Sequence, residues 1–252
     1  MDYQHLIFEK GPISTITLNR PELLNALNNR LRYEICMALE ESGDDPEVRV
    51  VVVKGAGRAF CAGDDMRSAR EPAPPSQSRG PSDLAIAFRH LLKPVISQVH
   101  GHVHGAGLEM AMATDICIAA EGTGFCSPFV KRAMGYGGNI LPRLIGMRRA
   151  TEMLFTGEPI SAEKALEWGL VNRVVPADKL EAEVAEWADR FAKSATVAMG
   201  GIKVNLTKGW NLSVEDGYEL VNSQLARASR AEDATEGPKA FREKREPIFI
   251  GR

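Results

Sequence analysis

Gly57-Arg-Ala-Phe-Cys-Ala-Gly-Asp-Asp-Met66 and His104-Gly-Ala-Gly-Leu-Glu-Met-Ala-Met-Ala-Thr-Asp115 are the two segments that decide the fold. Each follows an apolar run typical of a buried strand, Val50–Val53 before the first and Val95–Val99 before the second. A strand that breaks at glycine and then opens a helix leaves backbone N–H groups without an intrahelical partner. Two such turns side by side predict a site that holds one oxygen atom between two backbone donors.

The second segment also carries a carboxylate, Glu109, about one helical turn beyond its glycines. Its neighbours are apolar, and apolar surroundings raise the pKa of a carboxyl group toward the range of an acid/base catalyst. The pattern predicts a site that polarises a carbonyl and moves a proton next to it. A plainer interpretation stays open, in which the glycines make tight turns and Glu109 is an acidic residue favoured near a helix N-terminus.

Length and composition narrow the class of protein. A chain of 252 residues fits one large α/β domain with an appendage. The formal net charge of −2 gives no general attraction to nucleic acid or to an anionic membrane. Four cysteines without CxxC spacing predict buried free thiols. The N-terminus has no leader pattern and no apolar stretch reaches the ~20 residues that span a bilayer, so we expect a cytoplasmic protein.

The secondary-structure pattern changes along the chain. Strands and helices alternate up to about residue 195, and only helical patterns follow. The sequence therefore predicts an α/β catalytic core over residues 1–195 and a helical region over residues 196–252. Glu71 to Ser82, rich in proline and serine, is predicted to be a surface loop.

The two glycine segments resemble the paired signatures of the crotonase superfamily, also called the enoyl-CoA hydratase/isomerase family. Further matches follow in the family's order: Leu18-Asn-Arg-Pro-Glu-Leu-Leu-Asn-Ala-Leu-Asn28, Leu141-Pro-Arg-Leu-Ile-Gly146, Phe155-Thr-Gly-Glu-Pro-Ile-Ser-Ala-Glu-Lys-Ala165, Gly169-Leu-Val-Asn-Arg-Val-Val-Pro176 and Glu236-Gly-Pro-Lys-Ala-Phe-Arg-Glu-Lys-Arg245. The resemblance implies a crotonase-like spiral of ββα units with a helical C-terminal trimerisation region. It also implies a homotrimer or a dimer of trimers.

The same resemblance implies a function and a set of site residues. The expected activity is that of an enoyl-CoA hydratase acting on a 2-enoyl-CoA thioester, with no cofactor apart from the coenzyme A that belongs to the substrate. The N–H groups of Asp64 and Ala106 would form the oxyanion hole, and Glu109 would be the acid/base. Phe241 and Lys244, three residues apart on one helical face, would reach the CoA of a neighbouring subunit. The remaining expected substrate-binding residues are Leu24, Ala26, Ala62, Asp65, Met66, His104, Gly105 and Phe129.

One position departs from the family's hydratases. In Phe125-Cys-Ser-Pro-Phe129, Phe129 stands where they carry a second glutamate. Glu109 alone could pass one proton from water to the α-carbon, or it could shift a double bond without adding water. Asp64 and Tyr136 are candidates for a second polar group, whereas Asp65 is expected to bond within the structure. Hydratase, isomerase, CoA-ester hydrolase or decarboxylase, and non-catalytic CoA-binding protein therefore all stay open.

Three alternating histidines, His100, His102 and His104, suggest a metal site if they share a face of a strand. No carboxylate or cysteine follows at ligand spacing, and the family needs no metal, so we expect none. His104 is instead expected to form part of the wall of the acyl site.

Overall fold

Two β-sheets hold the strands of the computed structural model, which describes residues 3–67 and 79–252. The larger sheet has six strands in the order β1-β2-β3-β4-β6-β9, and the smaller has three in the order β5-β7-β8. β1 and β2 form an antiparallel hairpin, and the other pairs of the larger sheet are parallel. The strands are β1 (Leu6–Glu9), β2 (Ile13–Leu18), β3 (Val50–Gly55), β4 (Val95–Val99), β5 (His102–His104), β6 (Ile116–Ala120), β7 (Gly124–Cys126), β8 (Ile160–Ser161) and β9 (Arg173–Val175).

The α-helices of the described chain lie between these strands and after them. They are α1 (Asn29–Asp44), α2 (Pro81–His90), α3 (Ala106–Ala113), α4 (Leu141–Ile145), α5 (Met147–Thr156), α6 (Ala162–Trp168), α7 (Leu180–Ala192), α8 (Thr196–Lys208), α9 (Val214–Ala228) and α10 (Asp233–Glu243). The predicted loop at 71–82 is wrong at its end, because α2 begins at Pro81, a residue suited to a first helical turn. Residues 71–78 of that loop lie outside the described residues.

From β4 to β7, consecutive strands enter different sheets, as in the predicted spiral. β4 joins the larger sheet, β5 joins the smaller one, and α3 follows; β6 and β7 repeat this division. An isolated parallel bridge between Cys61 and Val103 adds the segment after β3 to the smaller sheet. The turns that follow β3 and β5 therefore lie side by side.

β3 is buried on both faces of the larger sheet, as its apolar run predicts. Val51 and Val53 face the main core, whereas Val50 and Val52 pack with α7 through Leu180 and its neighbours. The four cysteines are buried and free, which confirms that prediction. This packing holds the two glycine turns at fixed strand ends.

The C-terminal helices are tied to the core but leave much apolar surface exposed. Arg49 donates from Nε to the hydroxyl of Thr196 (3.1 Å) and from its guanidinium to the carbonyl oxygen of Ser194 (2.7 Å). α9 buries none of its residues. Exposed apolar side chains on and between α8 and α9 include Ile202, Leu206, Trp210, Val214, Tyr218 and Leu225.

The division at residue 195 stays a prediction. Within the described residues, no helix has the length and apolar character needed to cross a bilayer.

Candidate active site

The two glycine turns contact each other through their backbones. Cys61 donates its N–H to the carbonyl oxygen of His102 (3.0 Å), and His104 donates back to that of Cys61 (3.0 Å). Gly63 has a φ of 97°, and a Cβ on it would lie 2.9 Å from the carbonyl oxygen of His104 and 3.5 Å from the nitrogen of Ala106. Because Gly63 has no side chain, the first turn can approach the start of α3 this closely.

Two backbone N–H groups at this contact bond no acceptor among the residues that the structure describes. The amides on either side of Asp64 are engaged: Leu27 donates to the carbonyl oxygen of Gly63 (2.8 Å), and Asp65 donates to that of Leu27 (3.0 Å). The Asp64 amide itself bonds no acceptor in the described part of the chain. Ala106 is the first residue of α3, so its N–H precedes the first intrahelical bond. Two unpaired amides on touching turns can donate to one carbonyl oxygen.

Glu109 lies in the first turn of α3, a helix whose residues are all buried. The residue is 7% exposed, and no hydrogen bond or ion pair joins its carboxyl group to another of residues 3–67 and 79–252. Burial raises the pKa of Glu109 from its ordinary value near 4.5 to about 7. A carboxyl group that titrates near neutrality can both accept and return a proton, and it stands one turn beyond the free Ala106 amide.

Aromatic side chains occupy the place of the second glutamate. Phe129 is 4% exposed, and its ring edge lies 3.8 Å from a Cβ built on Gly105. Tyr136 packs edge-on against it, with ring centroids 4.9 Å apart. Burial, and then the charges of Glu109 and Asp64, raise the pKa of Tyr136 despite a hydrogen bond to Ser82. Glu109 therefore faces a neutral aromatic pair here instead of a second carboxylate.

The carboxylates of the first turn form ion pairs with arginines. Asp65 accepts from Arg20 (2.9 Å) with both side chains less than 10% exposed, and it also accepts from the Arg67 amide (3.1 Å). Asp65 thus bonds within the structure as predicted. Asp64 pairs with Arg32 of α1. That pairing argues against the Asp64 side chain as a replacement for the second glutamate and leaves its backbone amide as the group of interest.

The expected CoA-contacting loop is fixed by a residue that sequence reasoning missed. Leu24 has a φ of 51°, and its carbonyl oxygen accepts from the Ala62 amide (3.0 Å). Asn25 is fully buried and donates to the carbonyl oxygens of Ala56 (2.9 Å) and Ala59 (2.8 Å). The only sequence signal for Asn25 was its place in the Leu18–Asn28 match. The loop carrying Leu24 is thereby held against the first turn, with Ala26 partly buried and Met66 58% exposed.

The three histidines do not form one cluster. His102 and His104 make an edge-on ring contact with centroids 4.9 Å apart, whereas His100 Nε2 contacts the carbonyl oxygen of Gly57 (2.8 Å). Burial and then His102 lower the pKa of His104. The His104 ring lies 3.9 Å from a Cβ built on Gly124, on β7, and its role in the acyl site stays a prediction. The described residues hold no group of three or more His, Cys, Asp or Glu side chains arranged for a metal ion.

The C-terminal pair differs from its prediction. Phe241 lies on α10 and is 86% exposed. Lys244 lies beyond the end of α10 with a φ of 57°, so the two residues do not share one helical face. The left-handed backbone conformation of Lys244 ends α10 at the preceding residue. A CoA contact by this pair stays a prediction.

Comparison with known proteins identifies one matching family and several similar enzymes. The family model described as enoyl-CoA hydratase/isomerase matches residues 9–252. Carnitinyl-CoA dehydratase from Salmonella heidelberg (strain SL476) is 37% identical over 252 residues, covering 96% of each chain. A crystal structure of enoyl-CoA hydratase from Bacillus anthracis aligns with a TM-score of 0.89 at 32% identity, covering 99% of this chain and 100% of that one. An enoyl-CoA hydratase/carnithine racemase from Magnetospirillum magneticum aligns with a TM-score of 0.86 at 30% identity, covering 100% and 97%.

Proposed function

Since the chain belongs to the enoyl-CoA hydratase/isomerase family, the crotonase superfamily, we propose that it is a hydratase-type enzyme acting on a 2-enoyl-CoA thioester. One observation carries this proposal: the Asp64 and Ala106 amides bond no acceptor among the described residues, and the buried carboxyl group of Glu109 lies one helical turn beyond Ala106. An acyl-CoA carbonyl and the carbon next to it need these two kinds of group.

In the proposed reaction, the thioester oxygen accepts hydrogen bonds from the Asp64 and Ala106 amides. Glu109 removes a proton from water as the water oxygen bonds to the β-carbon, and the electrons of the double bond move to the thioester oxygen. Glu109 then returns the same proton to the α-carbon, so that one water is added in total. Each amide would stabilise the oxyanion by roughly 3–4 kcal/mol. The carboxyl group with a pKa of about 7 suits both steps.

A second function is favoured by the aromatic pair. Phe129 and Tyr136 supply no second carboxylate beside Glu109. Isomerisation needs a single base that removes a proton at one carbon and returns it at another, without activating water. Enoyl-CoA isomerase is therefore the alternative. No observation on the described residues favours CoA-ester hydrolysis or decarboxylation over these two reactions, and non-catalytic CoA binding would leave the buried Glu109 without a role.

Substrate contacts and assembly complete the proposal. Leu24, Ala26, Ala62, Asp65 and Met66 would lie along CoA, and His104, Gly105 and Phe129 would lie along the acyl group. The exposed apolar residues of α8 and α9 support a homotrimer or a dimer of trimers, in which Phe241 and Lys244 would approach a neighbouring subunit's CoA. Four buried free thiols support a reducing compartment, the cytoplasm, and fatty acid metabolism is the proposed setting. No separate cofactor is proposed.

The test is mass spectrometry of CoA thioesters incubated with the protein in heavy water. The panel includes crotonyl-CoA, a 3-enoyl-CoA and carnitinyl-CoA, the last because a relative is named a carnitinyl-CoA dehydratase. We expect crotonyl-CoA to gain one water with the wild type and to gain none with Glu109→Gln. The gain should persist with Glu121→Gln, a matched change at an exposed carboxylate. Deuterium uptake with a shifted double bond and no added water would favour the isomerase. Binding without any Glu109-dependent change would contradict both reactions.

A further inference from the structure

Ser127 carries a buried hydroxyl group without a partner. The residue lies directly after β7 and is 1% exposed. Its Oγ bonds no group in the described part of the chain. A buried polar atom without a hydrogen bond is unfavourable, so such a group in a folded protein calls for a function or for a partner in another state of the molecule.

Glu109 is a candidate partner for this hydroxyl group. A Cβ built on Gly137 would lie 3.6 Å from Oε1 of Glu109 and 3.8 Å from Oγ of Ser127. The two oxygens therefore border the same small space. Cδ2 of Leu154 borders it too, 2.9 Å from the same Cβ position, and Gly137, with a φ of 96°, adds no side chain there.

The other titratable groups described near Glu109 donate no hydrogen bond to its carboxyl group. The titratable groups that neighbouring elements bring to this region are Tyr136, Asp64, Arg32 and Cys61. Arg32 is paired with Asp64, and burial raises the pKa of the Cys61 thiol to about 12. Tyr136 also has a raised pKa and contacts Ser82. An ionised Glu109 would thus depend on a neutral donor in its surroundings.

We propose that Ser127 is a positioning residue for Glu109: its hydroxyl donates to one oxygen of the ionised carboxylate and leaves the other oxygen for the proton transfer. A serine hydroxyl rotates to suit an acceptor, and an ionised carboxylate can only accept. The bond would form after deprotonation and would loosen when Glu109 carries a proton. This inference rests on the proposed role of Glu109 as acid/base.

The direct test is ¹³C NMR titration of the protein labelled at its glutamate carboxyl carbons. The Glu109 resonance is assigned by its absence in Glu109→Gln. Because a hydrogen bond to the ionised form favours that form, Ser127→Ala should raise the pKa of Glu109 by about one pH unit. Ser127→Cys, which keeps the size and offers a weaker donor, should give a smaller rise and serves if the alanine variant does not fold. Ser42→Ala, a buried hydroxyl bonded within α1, should cause none.

The outcomes separate this inference from the proposed function. A Glu109 pKa unchanged within about 0.2 pH units in Ser127→Ala, or a lowered one, overturns the positioning role, whatever the activity. With the role intact, kcat should fall about tenfold in Ser127→Ala while KM changes less than about twofold, and the acidic limb of the pH profile should move with the NMR value. A shifted NMR value together with no Glu109-dependent chemistry on any thioester would support the Ser127–Glu109 contact and reject the hydratase.

Discussion

Gly63 lies directly against the carbonyl group of His104, so close that a Cβ on Gly63 would be 2.9 Å from the His104 oxygen. This contact joins the turn after β3 to the turn after β5 and brings the free Asp64 and Ala106 amides to one place. Real Cβ atoms do not approach a carbonyl oxygen this closely without a shift of the neighbouring atoms. The geometry of both donors therefore depends on a residue that itself offers no functional group.

Replacing Gly63 with alanine should separate the two turns. The added methyl meets the His104 carbonyl at a φ of 97°, so we expect a loss of about 1–3 kcal/mol in unfolding free energy and about 100-fold in kcat. Urea denaturation and turnover assays measure the two effects. Gly122→Ala is the matched control, because Gly122 also has a positive φ (76°) but has nothing within 4 Å. Full activity in Gly63→Ala would contradict the arrangement of donors proposed above.

Glu109 should make the protein less stable as the pH rises. Its pKa is raised to about 7 in the folded state from about 4.5, so the folded state binds more protons between these values and unfolding free energy falls across that window. The loss amounts to about 3 kcal/mol and is complete above pH ~7. The unfolding free energy of Glu109→Gln should match that of the wild type near pH 4.5 and exceed it at pH 8. Denaturation at both pH values, with Glu121→Gln as control, measures this; equal stability at pH 8 would refute it.

Tyr136 should act through its ring rather than its hydroxyl. Tyr136→Phe keeps the edge-on contact with Phe129, whose centroid lies 4.9 Å away. We therefore expect kcat within about threefold of the wild type, since only a proton-transfer role contributes roughly 100-fold or more. Steady-state kinetics on the enoyl-CoA substrate decide between the two. A drop of that larger size would assign Tyr136 the second proton-transfer role that Phe129 does not fill.

Removing one partner of the buried Arg20–Asp65 ion pair should lower stability far more than removing one partner of a surface pair. Both side chains are less than 10% exposed, so Asp65→Asn leaves the Arg20 charge buried with weaker compensation. We expect a loss of about 3 kcal/mol in unfolding free energy. The exposed pair of Lys193 and Asp189 provides the control, since Asp189→Asn should change stability by less than about 0.5 kcal/mol. Equal losses of unfolding free energy in the two variants would contradict the expected dependence on burial.

Local patterns in the sequence predicted much of the framework. The valine run of β3 is buried on both faces, the two glycine turns open where expected, and Glu109 is buried in α3. Each of these follows from residues within a few positions of one another. The start of α2 at Pro81 was missed because proline and serine also favour loops, and only the helical context distinguishes the two.

Contacts between distant residues could not be predicted in this way. Asp64 looked like an extra carboxylate at the site, and its pairing with Arg32, from α1, depends on how the helix packs beside the turn. The bonds from Asn25 to Ala56 and Ala59 are of the same kind. Ser127 gave no signal at all, since its importance lies in a missing partner that only the packed structure reveals.

The two donors proposed for the thioester oxygen are backbone amides, and almost any substitution preserves an amide. Natural or engineered change at positions 64 and 106 can therefore alter the shape and charge around the acyl group while the carbonyl-polarising function persists. Proline is the exception, because it alone has no N–H. Side chains around the donors can therefore change, and alter specificity, without loss of the two amides. Gly63 differs from these positions, because any side chain there would move the donors themselves.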